Sequence, residues 1–172
     1  MNIGIDKIGF YTPPFALSME DLAVERGVEP EKYTIGIGQS TMAVAPVTQD
    51  IVTMGANAAI GILDKADKEA IDMILVGTET GIDQSKSAAV YIQNLLGLSN
   101  RVRSVELKHA CYGATAALQL AKGHIALNPE SKVLVIASDI AKYGFKRGGE
   151  PTQGAGAVAM VVSSDPRLLV LE

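Results

Sequence analysis

The 172-residue sequence predicts an α/β fold, in which a mixed, mainly parallel sheet carries helices on both faces. Two continuous apolar runs, IDMILVGTET (71–80) and KVLVIASDI (132–140), are typical of strands buried on both faces. Segments with helical periodicity separate the predicted strands, and strands that alternate with helices usually form parallel sheets. These observations define the fold class before any motif is considered.

The first quarter of the chain predicts one strand, one short helix and a loop. The strand is IGIDKIGFY (3–11), which a Pro-Pro pair follows closely. Ser18 precedes Asp21 by three residues, which is a capping-box pattern, and it predicts a helix that ends near Gly27. The segment GIGQSTMAVAPVTQ (36–49) is punctuated by Gly, Pro, Ser and Thr, and is predicted to be a loop.

Two further helices are predicted in the middle of the chain. Thr48 is expected to cap the first helix and Ser85 the second, because hydroxyl side chains accept hydrogen bonds from the free N–H groups of a first turn. Gly97 is expected to end the second helix. The positions expected to face the core are Ile51, Met54, Ala58 and Ile62 in the first helix, and Ala88, Ile92, Leu95 and Leu96 in the second.

The remaining chain predicts further strands around one long helix. VRSVEL (102–107) reads as a strand, and the helix after it has one apolar stripe, made of Ala114, Ala117, Leu118, Ala121 and Ile125. GGEPTQGAGAVAMVVS (148–163) is a glycine-rich loop that leads into a strand, and RLLVLE (167–172) begins another. Because the sequence stops inside this apolar segment, we expect the fold to continue beyond it.

Composition narrows the classes of function. Net charge is −4 and no Lys/Arg cluster alternates with aromatic residues, which does not favour a nucleic-acid partner. One cysteine cannot form an intramolecular disulfide, and two histidines without a CxxC motif do not predict a metal site. The N-terminus lacks signal-peptide features and no apolar run is long enough to cross a membrane, so we expect a soluble, cytoplasmic protein.

Cys111 stands where the VRSVEL strand gives way to the long helix. Most free cysteines are inert core residues, which is the simplest interpretation. At a helix start, however, unpaired N–H groups and the helix dipole favour a thiolate, and the same groups could bind an oxyanion. Gly113 and Ala114 are expected to keep the turn small enough for a substrate to approach. We therefore favour Cys111 as a nucleophile.

Glu79 is the candidate general base. It ends a buried strand, and partial burial would raise the pKa of its carboxyl group towards that of a usable base. The alternative is a solvated residue in the turn that follows. His109 is predicted to face solvent and His124 to lie on the surface. The glycine-rich segments lack the GxGxxG spacing, and they do not predict NAD or ATP binding.

Several of these segments together resemble one known family. ELKHACYGATAALQLAK (106–122), with GTET before it and GGEPTQGAGAVAM after it, resembles the 3-hydroxy-3-methylglutaryl-CoA (HMG-CoA) synthases of the thiolase superfamily. The resemblance is to the bacterial enzymes of the mevalonate pathway and covers the whole chain.

This resemblance implies roles for matching positions. Cys111 would take the acetyl group from acetyl-CoA, and Glu79 would remove a methyl proton so that the enolate attacks acetoacetyl-CoA. Thr152 would contact bound substrate, and Tyr143 would line the pocket. The resemblance implies no metal and no cofactor, since both CoA thioesters are substrates.

The resemblance also implies a fold made of two similar βαβαβαββ halves, with residues 1–172 as the N-terminal thiolase-like half-domain. The second half, which this chain lacks, would supply a histidine, an asparagine and further CoA-binding residues. We therefore expect the isolated chain to be inactive or capable only of partial acetyl transfer. The apolar face left uncovered is expected to favour a homodimer.

Two other functions stay open from the sequence. One is a non-catalytic scaffold or interaction domain that keeps the thiolase-like half-fold, with Cys111 as an unused thiol. The other is a different thiolase-superfamily acyltransferase, for example one that carries out ketoacyl synthesis.

Overall fold

The structure is a computed structural model that describes residues 1–172. Its strands are β1 (Gly4–Tyr11), β2 (Phe15–Ser18), β3 (Thr41–Val44), β4 (Ile71–Gly77), β5 (Arg103–Leu107), β6 (Lys132–Ala141), β7 (Gly154–Ser163) and β8 (Leu169–Val170). Its α-helices are α1 (Met19–Arg26), α2 (Glu31–Thr34), α3 (Ile51–Ile60), α4 (Lys65–Ala70), α5 (Ala88–Leu95) and α6 (Gly113–Leu127). Short 3₁₀ turns lie at Ala110–Tyr112 and Glu150–Thr152.

Six strands form the central sheet in the order β5-β4-β6-β7-β1-β8. β4 pairs in parallel with β5 and β6, whereas β7 runs antiparallel to both β6 and β1, and β8 antiparallel to β1. Thus β1, β4, β5 and β6 point one way, while β7 and β8 point the other. This confirms the mixed, mainly parallel sheet, and its strands and principal helices follow the order βαβαβαββ up to β7.

Helices cover both faces of this sheet, and each face has its own core. On one face α3 and α5 pack on the strands through Ile51, Met54, Ile92 and their neighbours, which contact Ile74 and Val76 of β4. On the other face α6 packs against a smaller core that includes Leu75. Successive residues of β4 point to opposite faces, so both sets must be apolar, which explains the continuous run in the sequence.

The sequence predicted only helix α1 of a small subdomain that lies beside the sheet. Residues 41–44, predicted as loop, form β3 and pair antiparallel with β2. α1 and α2 pack beside this two-stranded sheet and complete a third core of Met19, Leu22, Ala23, Tyr33 and Met42. The expected limits of α1 are confirmed, because the Ser18 hydroxyl accepts from the amide of Asp21 (3.4 Å) and Gly27 adopts a left-handed φ of 64°.

The predicted N-caps of α3 and α5 were each wrong by two residues. Asp50, not Thr48, caps α3, because its carboxylate accepts from the amide of Thr53 (2.8 Å) while the Thr53 hydroxyl accepts from the amide of Asp50 (3.0 Å). Ser87, not Ser85, caps α5. The chain therefore enters each helix later than expected.

One core assignment and one helix limit were also wrong. Leu95 was expected to face the core, but it is 52% exposed in the last turn of α5. Ile62 lies beyond the end of α3, although it still packs against the core. The end of α5 near Gly97 is confirmed by a left-handed φ of 65° at that residue.

An ion network lies near the end of the sheet where β6 begins. Asp67 is fully buried and binds Lys132 (2.7 Å) and Lys7. Asp6 is almost buried and accepts two hydrogen bonds from the Arg167 guanidinium (2.6 and 2.9 Å). These charged groups satisfy one another where apolar residues would otherwise be expected.

None of the helices combines the length and the apolar character that a bilayer crossing requires.

Candidate active site

The chain just after β4 is organised by one carboxylate oxygen. Oδ1 of Asp139, in β6, accepts hydrogen bonds from the Thr78 hydroxyl (2.8 Å) and the Glu79 amide (2.7 Å). It also accepts from the amide (3.2 Å) and the hydroxyl (3.0 Å) of Thr80. Hydrogen bonds to a charged acceptor are the strong ones, so Asp139 fixes the backbone that presents Glu79.

Asp139 was not predicted as a site residue. Its place in the site follows from the parallel register, in which Gly77 of β4 lies opposite Ala137 of β6. Two residues further along, Glu79 and Asp139 therefore lie side by side at the carboxyl ends of neighbouring strands. Side chains placed there commonly build the sites of open α/β sheets.

Glu79 is half-buried, as expected, and its carboxylate is held by Tyr143. The Tyr143 hydroxyl donates to Oε1 of Glu79 at 2.6 Å. This hydrogen bond, followed by desolvation and by the charges of Glu79, Cys111 and Asp139, raises the pKa of Tyr143 to about 12. The phenol therefore stays protonated at neutral pH and acts as a permanent donor to Glu79.

Tyr143 and Thr152 belong to one segment, residues 142–153, which joins β6 to β7 and is called the crossover loop below. The amide of Tyr143 donates to Oε1 of Gln153 at 2.7 Å, and this bond closes the loop on itself. Thr152 is exposed, and its hydroxyl donates to the carbonyl of Gly149 (2.8 Å). The structure thus brings Tyr143 to Glu79 and leaves Thr152 without a hydrogen bond to either residue.

Cys111 lies in the 3₁₀ turn that leads into α6, and it is exposed. The thiol is therefore not a core residue, contrary to the simplest interpretation. Ala110, the preceding residue, has a left-handed φ of 34° although it is not glycine. Strain of this kind costs roughly 1–3 kcal/mol and clusters at functional sites.

The amides beside Cys111 are not all available to an oxyanion, contrary to expectation. Those of Tyr112 and Gly113 both donate to the carbonyl of His109 (2.9 Å each). The amide of Cys111 itself has no backbone acceptor among these turn hydrogen bonds. This amide is therefore free to donate to a ligand.

Gly113 has a packing role that the sequence did not predict. It is buried, and a Cβ added to it would lie 2.8 Å from the carbonyl oxygen of Leu107. A Cβ on Gly77 would lie only 2.3 Å from the amide nitrogen of Ala114. The glycines therefore let the start of α6 approach the end of β4, which places the cysteine turn beside the loop of Glu79.

The two histidines behave differently. His109 is exposed, as predicted, and its ring packs edge-on to Tyr112 with centroids 5.1 Å apart. His124 was expected on the surface, but its side chain is only 12% exposed and its Nε2 lies 2.9 Å from Oδ1 of Asp72. The apolar stripe of α6 did not reveal this polar partner on β4. No cluster of His, Cys, Asp and Glu in the structure could hold a metal ion.

An open cleft lies beside Asp139. It has a volume of about 430 Å³, and its lining includes Phe10, Asp139, Gly156 and Val158. The strand ends, the exposed cysteine turn and the Glu79–Tyr143 pair form an accessible polar site, which shares Asp139 with this apolar cleft.

The βαβαβαββ sheet, with a cysteine turn between β5 and α6, defines a thiolase-like fold. The family model described as hydroxymethylglutaryl-coenzyme A synthase N terminal matches residues 1–166. The chain belongs to this HMG-CoA synthase family.

Individual relatives agree with this assignment. The chain is 63% identical over 172 residues to the hydroxymethylglutaryl-CoA synthase of Enterococcus faecalis, covering 100% of this chain and 45% of that protein. A crystal structure of an HMG-CoA synthase complexed with CoA superposes with a TM-score of 0.97 at 52% identity, covering 100% of this chain and 44% of the other. For MvaS in complex with 3-hydroxy-3-methylglutaryl coenzyme A, the TM-score is 0.94 at 44% identity, covering 99% and 42%. The chain thus spans a little under half the length of the relatives it matches.

Proposed function

We propose that residues 1–172 form the N-terminal half-domain of an HMG-CoA synthase and contribute its nucleophile and its general base. One observation carries this proposal: the exposed Cys111 turn and the Glu79–Tyr143 pair meet at one end of a sheet that belongs to this family. Thioester chemistry needs a thiolate, a base and an N–H donor, and no metal or redox cofactor.

In the first step, the Cys111 thiolate attacks the carbonyl carbon of acetyl-CoA. The amide of Cys111 donates to the developing oxyanion. The carbon–sulfur bond to CoA then breaks, CoA leaves as a thiolate that takes up a proton, and the acetyl group remains on Cys111 as a thioester. The strained turn helps by holding the sulfur in the open.

In the second step, Glu79 takes a proton from the acetyl methyl group. Tyr143 occupies Oε1 of Glu79, so Oε2 is the oxygen that accepts this proton. The enolate attacks the ketone carbon of acetoacetyl-CoA, and the alkoxide that forms takes up a proton to become the 3-hydroxyl group. Water then hydrolyses the thioester, which releases HMG-CoA and frees the Cys111 sulfur. Thr152, exposed on the crossover loop, is proposed to contact the bound thioester.

Condensation needs more than this chain provides. The resemblance assigns to the second half of the family fold a histidine that engages acetoacetyl-CoA, and the chain covers 45% of the Enterococcus relative. We therefore expect acetylation of Cys111, but little or no HMG-CoA formation by residues 1–172 alone.

Intact-mass analysis after incubation with acetyl-CoA tests the first step. The expected result is one acetyl adduct that the variant Cys111→Ala lacks. The variant Glu79→Gln should still form the adduct, but its acetyl methyl protons should no longer exchange with deuterium from the solvent. Absence of the adduct at every pH would contradict the proposal and favour a non-catalytic scaffold.

The surface also supports a proposed homodimer. Ile8 (54% exposed) and Phe10 (78% exposed) present apolar side chains on β1. β5 lies at the edge of the sheet with unpaired backbone groups on its outer side, and such edges readily pair with another strand. Light scattering at micromolar concentration should give twice the mass of the chain, and a monomer would contradict the dimer.

The proposed compartment is the cytoplasm, because the single thiol is unpaired.

A further inference from the structure

The crossover loop, residues 142–153, makes few side-chain hydrogen bonds to the rest of the molecule. Its side-chain hydrogen bonds to residues outside the loop go to two partners, Glu79 and Arg26. Phe145, near its tip, is 73% exposed. Side-chain hydrogen bonds therefore hold the loop at these two points, and Glu150 and Pro151 are its buried residues.

The Arg26 contact is the larger of the two. Nε and Nη2 of Arg26 donate to the two carboxylate oxygens of Glu150 at 2.7 and 2.8 Å, and the Glu150 side chain is only 8% exposed. The guanidinium also lies 4.7 Å from the centroid of the Phe145 ring. A two-bond guanidinium–carboxylate pair fixes orientation as well as distance, and stacking adds to it.

Glu150 passes this restraint to a strained part of the loop. Its Oε2 also accepts from the amide of Lys146 (3.2 Å), a non-glycine residue with a left-handed φ of 56°. Gly144, next to Tyr143, has a φ of 101°. Without Glu150, the backbone at Lys146 would lose a hydrogen bond that stabilises a conformation that L residues rarely adopt.

Arg26 itself is firmly placed. It is the last residue of α1, whose buried Met19, Leu22 and Ala23 belong to the separate core of the β2–β3 subdomain. The subdomain thus presents Arg26 to the crossover loop from a packed helix.

We propose that Arg26 and Glu150 are positioning residues whose ion pair holds the crossover loop so that the Tyr143 hydroxyl stays on Glu79. The pair contacts neither Glu79 nor Cys111 in the structure, and acts only through Tyr143. The proposal rests on the proposed role of Glu79 for its meaning in catalysis, but its geometric part stands independently of the reaction.

The test follows the titration of Tyr143 in the full chain, without substrate. Tyrosine labelled with ¹³C at Cζ gives one resonance for each of the five tyrosines, and the variant Tyr143→Phe identifies the relevant one. In the wild-type chain Tyr143 should titrate near pH 12. In Arg26→Glu its pKa should fall by at least about one unit towards the ordinary value near 10, because the hydrogen bond to Glu79 is lost.

The direction of this shift excludes a simple charge effect. Replacing a cation by an anion near a phenol raises the pKa of the phenol, so a fall requires that the geometry has changed. The charge-swapped double variant Arg26→Glu/Glu150→Arg should restore most of the shift. Arg101→Glu, the same charge change at an exposed turn between α5 and β5, should leave Tyr143 unchanged.

Three outcomes would overturn the proposal. A folded Arg26→Glu with an unchanged Tyr143 titration shows that the pair does not position the loop. A double variant that folds without restoring the titration shows that the pairing is not responsible. Should Arg26→Glu fail to fold, Arg26→Lys keeps the charge and loses the two-bond geometry, and an unchanged Tyr143 there overturns the proposal equally. Failure of Cys111 to acetylate would instead contradict the proposed function and leave this result standing.

Discussion

At the residue scale, Glu79 and Tyr143 are held by different means. The backbone of Glu79 is fixed by Asp139, a neighbour in the sheet, whereas Tyr143 reaches Glu79 from a loop. The hydrogen bond to Asp139 just after β4 therefore fixes where Glu79 lies, and the crossover loop orients the Glu79 carboxylate through Tyr143.

Replacing Asp139 should show how much its hydrogen bonds to the segment of Glu79 stabilise the fold. Asp139→Ala removes the shared acceptor of Thr78, Glu79 and Thr80, and should lower the free energy of unfolding by about 3 kcal/mol. Asp139→Asn keeps an acceptor oxygen and should cost only about 1 kcal/mol. Urea denaturation measures both values. Equal losses in the two variants would contradict the assignment of the hydrogen bonds to Oδ1.

The sequence revealed part of this site for a physical reason. Glu79 could be found because a carboxylate interrupts the end of an apolar strand, and Cys111 because it is the only thiol. Asp139 likewise interrupts the apolar run KVLVIASDI, but the sequence does not show which groups its carboxylate binds. Its role depends on the pairing register of β4 with β6, which belongs to the tertiary structure.

At the scale of elements, the close approach of α6 to β4 decides where the cysteine turn lies. Gly77 and Gly113 leave the space for this approach, since a Cβ on either residue would overlap backbone atoms. The helix therefore starts close to the strand end only because both side chains are absent.

A pair of matched substitutions in α6 tests this packing. Gly113→Ala should destabilise the chain by about 2 kcal/mol, because the added methyl group meets the carbonyl of Leu107. Gly123→Ala, in the same helix, meets nothing within 4 Å and should stabilise it by up to about 1 kcal/mol through helix propensity. Thermal melting gives both signs. Two shifts of the same sign would contradict the close contact at Gly113.

The sequence did not predict β3 or the N-cap of α3 because both depend on pairings that only the folded structure shows. β3 was predicted as loop because its partner β2 is only four residues long and is separated from it along the chain by α1 and α2. At the start of α3, Thr48 and Asp50 are both good capping residues, and only the reciprocal bond with Thr53 selects Asp50. Long, continuous apolar strands such as β4 needed no such information, and the βαβαβαββ order could be anticipated from the resemblance.

At the scale of the whole molecule, the site and the ion network lie at different parts of the sheet. The network joins β1, α4, β6 and the segment before β8. It therefore connects segments that are distant in sequence, and its loss should affect global stability.

Acid should weaken the fold through this network. Burial raises the pKa of Asp67, but hydrogen bonds from Lys132 and Lys7 outweigh it and hold the pKa below the ordinary 3.8. The hydrogen bond from Arg167 likewise lowers the pKa of Asp6. Both folded pKa values are depressed, so the stabilisation is present above about pH 4 and is lost as pH falls below it.

Urea midpoints between pH 7 and pH 2.5 measure this effect. Asp67→Asn should lose about 3 kcal/mol at pH 7, where it removes the buried anionic partner of Lys7 and Lys132, and should then show a shallower acid decline than the wild type. Asp165→Asn, at an exposed carboxylate without an ion pair, should follow the wild-type curve. Parallel declines for Asp67→Asn and the wild type would contradict the role of Asp67.

The burial of Asp67 also determines how the chain responds to ionic strength. Dissolved potassium and chloride ions screen charges on the surface, but they cannot enter the space between this carboxylate and its two lysines. Concentrated salt should therefore weaken exposed pairs such as Lys65–Glu69 while leaving the pairs of Asp67 with its lysines nearly intact.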